Sequence, residues 1–420
     1  MPGFLSLRDA FEEKGATRRA WPARRAARKQ SMKQTTPLIL GGMLLSGACG
    51  SAAAQSAVTV YGIVDVALTH LTHHANAGDT YMRSGPKDGS RLGFKGSEDL
   101  GGGTKALFVL EAGYNVDDGS AGQAGSIFNR ASWVGLSNDR LGTLSAGRQY
   151  APYFDFLAPL GPVPPVTGAA GDHPGDIDGF DITIRNNNSV KYTSPDWHGV
   201  TVGVMAAAGE QAEHGGSGSA YSAAVKYEGG PWRYALGYQV LKNGPNQANW
   251  DPTSASSFAK SQINAGYLSA RDVQYVAAGA RWQHARLSLG GSLSNVQYRP
   301  NATSRFRDTA IFNTGALLAT WQTASPWLLG AGLTYTRASS ANGIRDAARY
   351  RQLSLQQAYW LSRRTSIYLL EAVQRAHGRT LGTDGASQVD AGAVIGTSQS
   401  GLVADGPRQS MLALGLRHAF

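Results

Sequence analysis

The clearest pattern in the chain is an alternation, in twos, of apolar positions with small or polar positions. In the last segment, residues 408–420, Leu412, Leu414, Leu416 and Phe420 fall on one face, and mostly small or polar residues fall on the other. Successive side chains of a β-strand point to opposite sides, so this period predicts a strand with two unlike faces. A soluble sheet would bury the leucine face in a core, whereas a membrane barrel would turn it toward lipid.

The same alternation recurs along residues 55–420, in segments joined by short turns and longer loops. A polar loop is predicted over residues 70–86. The apolar faces of 232–240 and 327–335 carry tryptophan or tyrosine at their ends, as the two membrane interfaces favour. The strands predicted early in the chain are 58–68, 90–96, 104–114, 127–137 and 143–150.

All segments together predict an all-β fold, a transmembrane antiparallel up-and-down β-barrel of sixteen strands. Closure leaves no unpaired strand edge in lipid. The 53 glycines and 17 tyrosines also favour β over α structure. A helical membrane protein is excluded, because the only long apolar run, 37–54, lies near the N-terminus.

The net charge of +10 is concentrated at the N-terminus. Residues 1–54 hold nine of the 39 basic and three of the 29 acidic residues, which leaves 30 basic against 26 acidic residues in 55–420. The remainder is only mildly basic and its charges are interspersed, so the charge does not indicate a nucleic-acid partner.

Residues 32–54 have the three parts of a secretory signal peptide: Met32-Lys33, an apolar run from Pro37, and small residues up to Ala54. Cleavage there starts the mature chain at Gln55 and makes 55–420 a single domain. Residues 1–31 are either an upstream extension or a long basic n-region. Cys49, the only cysteine, leaves with the signal unless it carries a lipid.

Several motifs in one order resemble the Gram-negative general porins of the β-proteobacterial type. The motifs are Val-Thr-Val-Tyr-Gly at 58–62, Ser-Arg-Leu-Gly-Phe-Lys-Gly at 90–96, Trp-Val-Gly-Leu-Ser at 133–137, Leu-Gly-Thr at 141–143, Gly-Arg-Gln at 147–149 and the terminal 415–420. The resemblance covers essentially all of 55–420. It implies an outer-membrane, water-filled channel for passive diffusion of small hydrophilic solutes and ions, with neither enzyme activity nor a cofactor.

The resemblance also implies partners. It predicts a homotrimer surrounded by membrane lipid and lipopolysaccharide in the outer membrane of a Gram-negative cell. The C-terminal strand ending in Phe420 would be the assembly signal for the barrel-assembly machinery. No nucleic-acid partner is implied.

The longest irregular stretch, residues 151–187, follows the fifth predicted strand and is rich in proline, glycine and aspartate. So long a segment without regular structure is usually functional or disordered. In porins the third external loop folds into the barrel and narrows it, and this stretch matches its position. The acidic candidates for the constriction are Asp155, Asp172, Asp176, Asp178 and Asp181.

Arginines on the wall are expected to oppose these aspartates, because charges at a constriction set ion preference. Arg91 is inward by alternation and belongs to the Ser-Arg-Leu-Gly motif. Arg130 and Arg148 share the parity of apolar neighbours. Each therefore lies above the lipid belt or is turned by a bulge. The sign of the selectivity stays open.

Three other functions are considered. A substrate-specific channel would need an aromatic ladder or a dense basic patch in the lumen. An outer-membrane barrel enzyme would need a serine or an Asp/His group on neighbouring strands, and none is evident. A secreted β-sandwich does not explain sixteen segments and a terminal phenylalanine. His70, His73 and His74 are more simply residues of an exposed loop than metal ligands.

Overall fold

The computed structural model of the chain describes residues 57–74, 77–162, 166–180, 184–209, 216–243, 262–396 and 406–420. The predicted signal peptide, residues 1–31 and Asp181 lie outside this part of the chain. Within it, no helix is long and apolar enough to cross a membrane.

β-Strands account for most of the described residues. They are β1 Ala57–His74, β2 Ala77–Ser84, β3 Arg91–Gly101, β4 Thr104–Gly113, β5 Ala131–Asn138, β6 Gly142–Gln149, β7 Asn186–Thr193, β8 Val200–Ala207, β9 Ala220–Gly229, β10 Trp232–Lys242, β11 Asp272–His284, β12 Leu287–Arg299, β13 Ala310–Gln322, β14 Trp327–Ala338, β15 Arg349–Trp360, β16 Thr365–His377, β17 Arg379–Leu381, β18 Gln388–Asp390 and β19 Arg408–Ala419. Short helices cover Pro152–Leu157 and Gln262–Ala265, and 3-10 turns cover Ala158–Leu160, Gly168–Gly171 and Pro174–Asp176.

Seventeen of these strands form one closed antiparallel sheet. Each of β3 to β15 pairs with the next strand in sequence, β16 pairs with β19, and β19 pairs with β1. β2 and β3 occupy one position, because β3 pairs with the first part of β1 and β2 with the second part. The result is a barrel with sixteen strand positions, which confirms the predicted architecture.

The two faces of the wall differ as the alternation predicted. Leu412, Leu414 and Leu416 on β19 are about half exposed. Met411 and Ala413, which have the opposite parity, are buried. The apolar face therefore points outward, and the face of small and polar residues points inward. These two sides of the barrel wall are called the outer face and the inner face.

The predicted polar loop over 70–86 is wrong. β1 continues to His74, and β2 returns beside it from Ala77 to Ser84. Only residues 85–90 interrupt the pairing before β3 resumes. The strand was missed because this hairpin is largely polar, so no apolar alternation marks it.

The connections divide the barrel into two ends. Turns of two to six residues join β3 to β4, β5 to β6, β7 to β8, β9 to β10, β11 to β12, β13 to β14 and β15 to β16. Connections at the other end include 114–130, 150–185 and 378–407. Outer-membrane barrels have short periplasmic turns and longer external loops, so the end with long connections is the external end.

Candidate channel constriction

Residues 151–162 and 166–180, called the inner segment below, pack against the inner face of the barrel. The helix Pro152–Leu157 contacts β8 to β11, and the turn Ala158–Leu160 contacts β10 to β12. Three inner-face glycines leave room for this packing. A Cβ atom on Gly203, Gly237 or Gly279 would lie 2.8, 2.7 or 3.0 Å from Pro152, Leu157 or Leu160, respectively.

The tip of this segment is attached to the wall on two sides. On one side, Ala169 N–H donates to the Pro86 carbonyl at 2.8 Å, within the break between β2 and β3. On the other side, the Gln352 side-chain amide on β15 donates to the carbonyls of Ala170 and Asp172, both at 2.9 Å. The tip is therefore held between β2 and β15 by directional hydrogen bonds.

A buried carboxylate positions the break that receives the tip. Asp65 on β1 is fully buried and accepts the backbone N–H groups of Lys87 at 3.1 Å and Asp88 at 2.6 Å. The Tyr368 hydroxyl donates to its other oxygen. Asp88 in turn pairs with Arg417 on β19. These contacts join the first, second and last strand positions where the barrel closes.

A second external connection also reaches the inner face. The backbone of Val394 and the side chain of Gln374 on β16 exchange two hydrogen bonds, of 2.6 and 2.7 Å. Ile395 packs in the same apolar cluster as Ala170 of the first segment. No periodic pattern predicts this contact, because residues 391–396 form no regular element.

Arg91 and Arg130 lie together on the inner face. Arg91 is the first residue of β3 and pairs in register with Gly113 on β4. A Cβ atom on Gly113 would lie 3.0 Å from Arg130 Cδ. Arg130 Nε donates to Glu111 Oε1 at 2.6 Å. The alternation misplaced Arg130 because β5 begins only at Ala131, so the period of two does not extend to it.

A register shift between Gly147 and Gln149 turns Arg148 away from the outer face. Its Nε donates to the Asn129 carbonyl at 2.8 Å, next to Arg130. Gly147 has a φ of +132°, and a Cβ on it would lie 2.2 Å from the Ser132 carbonyl oxygen. The bend thus depends on glycine, and it brings all three predicted arginines to the wall of β3 to β6.

The described loop aspartates are held by partners of their own. Asp155 accepts from Lys191 Nζ on β7 at 2.8 Å. Asp178 is fully buried, accepts from Ser294 Oγ on β12 at 2.6 Å, and lies 2.6 Å from His173 Nδ1. Asp172 and Asp176 are also buried.

The strand that holds Asp178 lies across the barrel from the arginines, because β12 is on the opposite side of the sixteen-position circle from β3 to β6. The tip of the segment, in contrast, reaches the arginine side through Pro86, in the strand position that β2 and β3 share.

Several inner-face residues were missed by the sequence reasoning. Glu111 is the acid that pairs with Arg130, and its inward parity in the strand over 104–114 was an available signal. Arg185 donates to the Tyr150 hydroxyl at 3.1 Å and lies 5.5 Å from that ring, while Tyr150 stacks on Phe154 at 4.6 Å. No local pattern links these three positions.

The helix of the inner segment is fixed by a buried phenol. The Tyr153 hydroxyl donates to the Asp178 carbonyl at 2.9 Å. Burial raises the pKa of the Tyr153 phenol well above its usual value, and the charge of Asp178 raises it further. The phenol therefore stays a neutral donor and ties the beginning of the segment to its end.

The one His–Asp pair found on the inner segment lacks the geometry of a catalytic triad. Ser294 bonds to Asp178 instead of to His173 Nε2, so the imidazole is not placed to take the serine proton. His173 is also 1 % exposed, which leaves no room for a substrate beside it. His70 lies on β1 and contacts Thr80 at 2.8 Å, and the side chains of His73 and His74 are outside the described residues.

A sixteen-position barrel with an apolar outer face and arginines on its inner face defines an outer-membrane channel. A family model described as Gram-negative porin matches residues 42–376. The chain belongs to the Gram-negative porin family, whose members are outer-membrane channels and not enzymes.

Individual relatives agree with this membership. The chain is 31 % identical to an outer membrane porin protein of Bordetella pertussis over 249 residues, 52 % of this chain and 62 % of that protein. It is 29 % identical to outer membrane porin protein 32 of Delftia acidovorans over 384 residues, 89 % and 97 % of the two chains. The anion-selective porin from Comamonas acidovorans has the same fold, with a TM-score of 0.64, 24 % identity and 87 % and 100 % coverage.

Proposed function

We propose that the chain forms a water-filled channel through which small hydrophilic solutes and ions diffuse passively, with an anion preference set by a narrowing inside the barrel. The observation that carries the proposal is the attachment of residues 151–180 to opposite sides of the inner face. A segment fixed at both sides reduces the open cross-section and stays in place while solutes pass.

The anion preference is supported by the clustering of three arginines on one part of the inner face. Arg91, Arg130 and Arg148 lie together on β3 to β6, with Glu111 as the acid bonded to Arg130. The described loop acids are buried or paired with Lys191 and His173. Low-dielectric walls focus the field of these wall arginines into the lumen. The fold relative from Comamonas acidovorans is named as anion-selective, in agreement with this sign.

Current through the purified, folded protein in a planar bilayer with a salt gradient tests the proposal. Stepwise conductance would establish an open channel, and the sign of the reversal potential would give the selectivity. We expect steps and a reversal potential on the anion side. A folded protein that gives no steps would contradict the diffusion channel, whereas steps with a cation-side potential would contradict only the assigned sign.

A substrate-specific channel is the second candidate, and the aromatic group beside the arginines favours it. Tyr150 and Phe154 are stacked and only partly buried, and Arg185 lies beside Tyr150. Such a surface suits a planar or sugar-like solute carrying negative charge. Block of the current by a particular solute at micromolar concentration would favour this candidate over general diffusion.

The proposed partners follow from membership in the family. We infer a homotrimer in the outer membrane, contact with membrane lipid and lipopolysaccharide, and delivery of the C-terminal strand to the barrel-assembly machinery. Residues 32–54 are proposed as the export signal. Phe420 supports an assembly role, because its ring covers Gly62 and its backbone exchanges hydrogen bonds of 3.0 and 3.1 Å with that residue.

A further inference from the structure

A row of arginines crosses the outer face of three neighbouring strands. Arg351 on β15 pairs in register with Arg375 on β16, and Arg375 pairs with Arg408 on β19. Adjacent strands lie about 4.8 Å apart, so the row is roughly 10 Å wide. Alternation within a single strand does not predict this row, because the three arginines come together only through the pairing register of β15, β16 and β19.

A second row lies two residues nearer the external end. Arg349 on β15 pairs with Arg337 on β14 and with His377 on β16. We call the five arginines of the two rows the outer basic patch: Arg337, Arg349, Arg351, Arg375 and Arg408.

The patch borders the apolar band of the barrel directly. Leu353, Val373 and Leu412 have the same outward parity on β15, β16 and β19, and each is about half exposed. Arg351, Arg375 and Arg408 are exposed as well. The patch therefore lies at the level where the acyl chains of the external leaflet end and the head groups begin.

Most of the positive charge of the patch has no ion-pair partner among the residues that the structure describes. Arg349 and His377 share Asp346, at 2.5 and 3.5 Å. No ion pair among the described residues includes Arg337, Arg351, Arg375 or Arg408. Arg351 instead lies 5.9 Å above the ring of Tyr335.

The one carboxylate on the outer face of β16 is too far away to neutralise the row. Glu371 lies four residues from Arg375 toward the periplasmic end, roughly 13 Å along the strand.

We propose that the outer basic patch binds the phosphate-bearing head group of an acyl lipid in the external leaflet. The planar guanidinium group presents paired N–H donors that match phosphate oxygens, and three of them in one row reach a head group with more than one phosphate. The acyl chains of the same lipid would cover Leu353, Val373 and Leu412. The inference rests on the proposed outer-membrane function, and lipopolysaccharide is the lipid class of that leaflet with this chemistry.

Binding of diphosphoryl lipid A to the full, folded protein in neutral detergent tests the patch, with native mass spectrometry counting the bound lipids. The test variant carries Arg351→Gln, Arg375→Gln and Arg408→Gln. The control variant carries Arg140→Gln, Arg286→Gln and Arg363→Gln, the same charge change on exposed arginines of the periplasmic turns. Heat-modifiable migration in a gel verifies that each protein is folded.

We expect the control to bind like the natural chain and the patch variant to bind at least about ten-fold more weakly, which corresponds to ~1.4 kcal/mol. If the triple variant does not fold, Arg375→Gln alone should weaken binding by about three-fold, ~0.7 kcal/mol. Equal affinity in the folded patch variant and the control would overturn the proposal.

Three further arms identify the ligand. Monophosphoryl lipid A should bind more weakly than the diphosphoryl form, and phosphatidylcholine should not distinguish the patch variant from the control. Free pyrophosphate that displaces lipid A at equal concentration would overturn a lipid site. Loss of the oligomer with unchanged lipid binding would also overturn the proposal and make the patch a subunit contact.

Single-channel steps of the natural chain in a neutral bilayer are recorded separately. Absence of conductance steps would contradict the proposed channel function but would leave the result on lipid A binding unchanged.

Discussion

At the scale of single residues, one backbone irregularity determines where a charge is placed. Without the register shift at Gly147, the alternation of β6 would put Arg148 among Leu144 and Ala146 on the outer face. The shift places its guanidinium beside Asn129 and Arg130. A charged side chain on the lipid face of a barrel costs about 2–4 kcal/mol at mid-depth, so the bend also removes a penalty.

Arg148→Gln should move the reversal potential toward the cation side, because one positive charge leaves the inner wall. The glutamine amide nitrogen stands where the arginine Nε stood, so it keeps a donor for the Asn129 carbonyl. Arg140→Gln is the control, since Arg140 is equally charged but lies exposed in a periplasmic turn. The reversal potentials of both variants are measured in the same salt gradient. An identical shift in the two variants would contradict a contribution of Arg148 to the selectivity.

At the scale of elements, the inner segment depends on a contact with the break in the second strand position. Gly168 has a φ of +57°, and a Cβ on it would lie 2.5 Å from the Pro86 carbonyl oxygen. Asp65 on β1 accepts the backbone N–H groups of Lys87 and Asp88, the two residues after Pro86, and so fixes this part of the break. The width of the narrowing is therefore coupled to the strand closure through residues 86–88.

Gly168→Ala should loosen the tip from Pro86 and give a channel with larger and noisier conductance steps. Gly119→Ala is a close control, because Gly119 also has a positive φ of +74° but no atom lies within 4 Å of its Cβ position. Single-channel recordings of both variants measure the effect. Equal step size and noise in the two would show that the contact with Pro86 does not set the width.

At the scale of the whole molecule, the barrel is complete only when the last strand meets the first. β19 pairs with β1 along nine positions, from Met411 to Ala419. Phe420 adds the final hydrogen bonds and places its ring against Gly62. Until this contact forms, β1 and β19 are unpaired edges, which lipid does not tolerate.

Phe420→Ala should lower the fraction of chain that reaches the folded, heat-modifiable form. The ring, 42 % exposed, covers backbone at the closing seam, and its loss leaves that backbone open to water. Trp321→Ala removes a ring of comparable exposure, 51 %, from β13 away from the seam and serves as the control. The folded fraction of each variant is measured during refolding in detergent, from gel migration with and without heating. Equal folded fractions would contradict a role of Phe420 in closure.

The sheet, its two faces and the family could all be predicted from the amino-acid sequence. Alternation is a local property of the chain, so Leu412, Leu414 and Leu416 identify the outer face without any knowledge of their neighbours. The family motifs and the long irregular stretch over 151–187 were likewise identified from the order of residues along the chain. The same local reasoning failed over 70–86, where a polar hairpin carries no apolar alternation.

The pairing of charged side chains, in contrast, depends on how the chain folds. The partners of Asp155 and Asp178 are distant in sequence, on β7 and β12. The orientation of Arg148 depends on a one-residue shift, and the row from Arg351 to Arg408 exists only through the register of three strands. Pairing and register arise from contacts between distant parts of the chain, so a pattern within one strand contains no record of them.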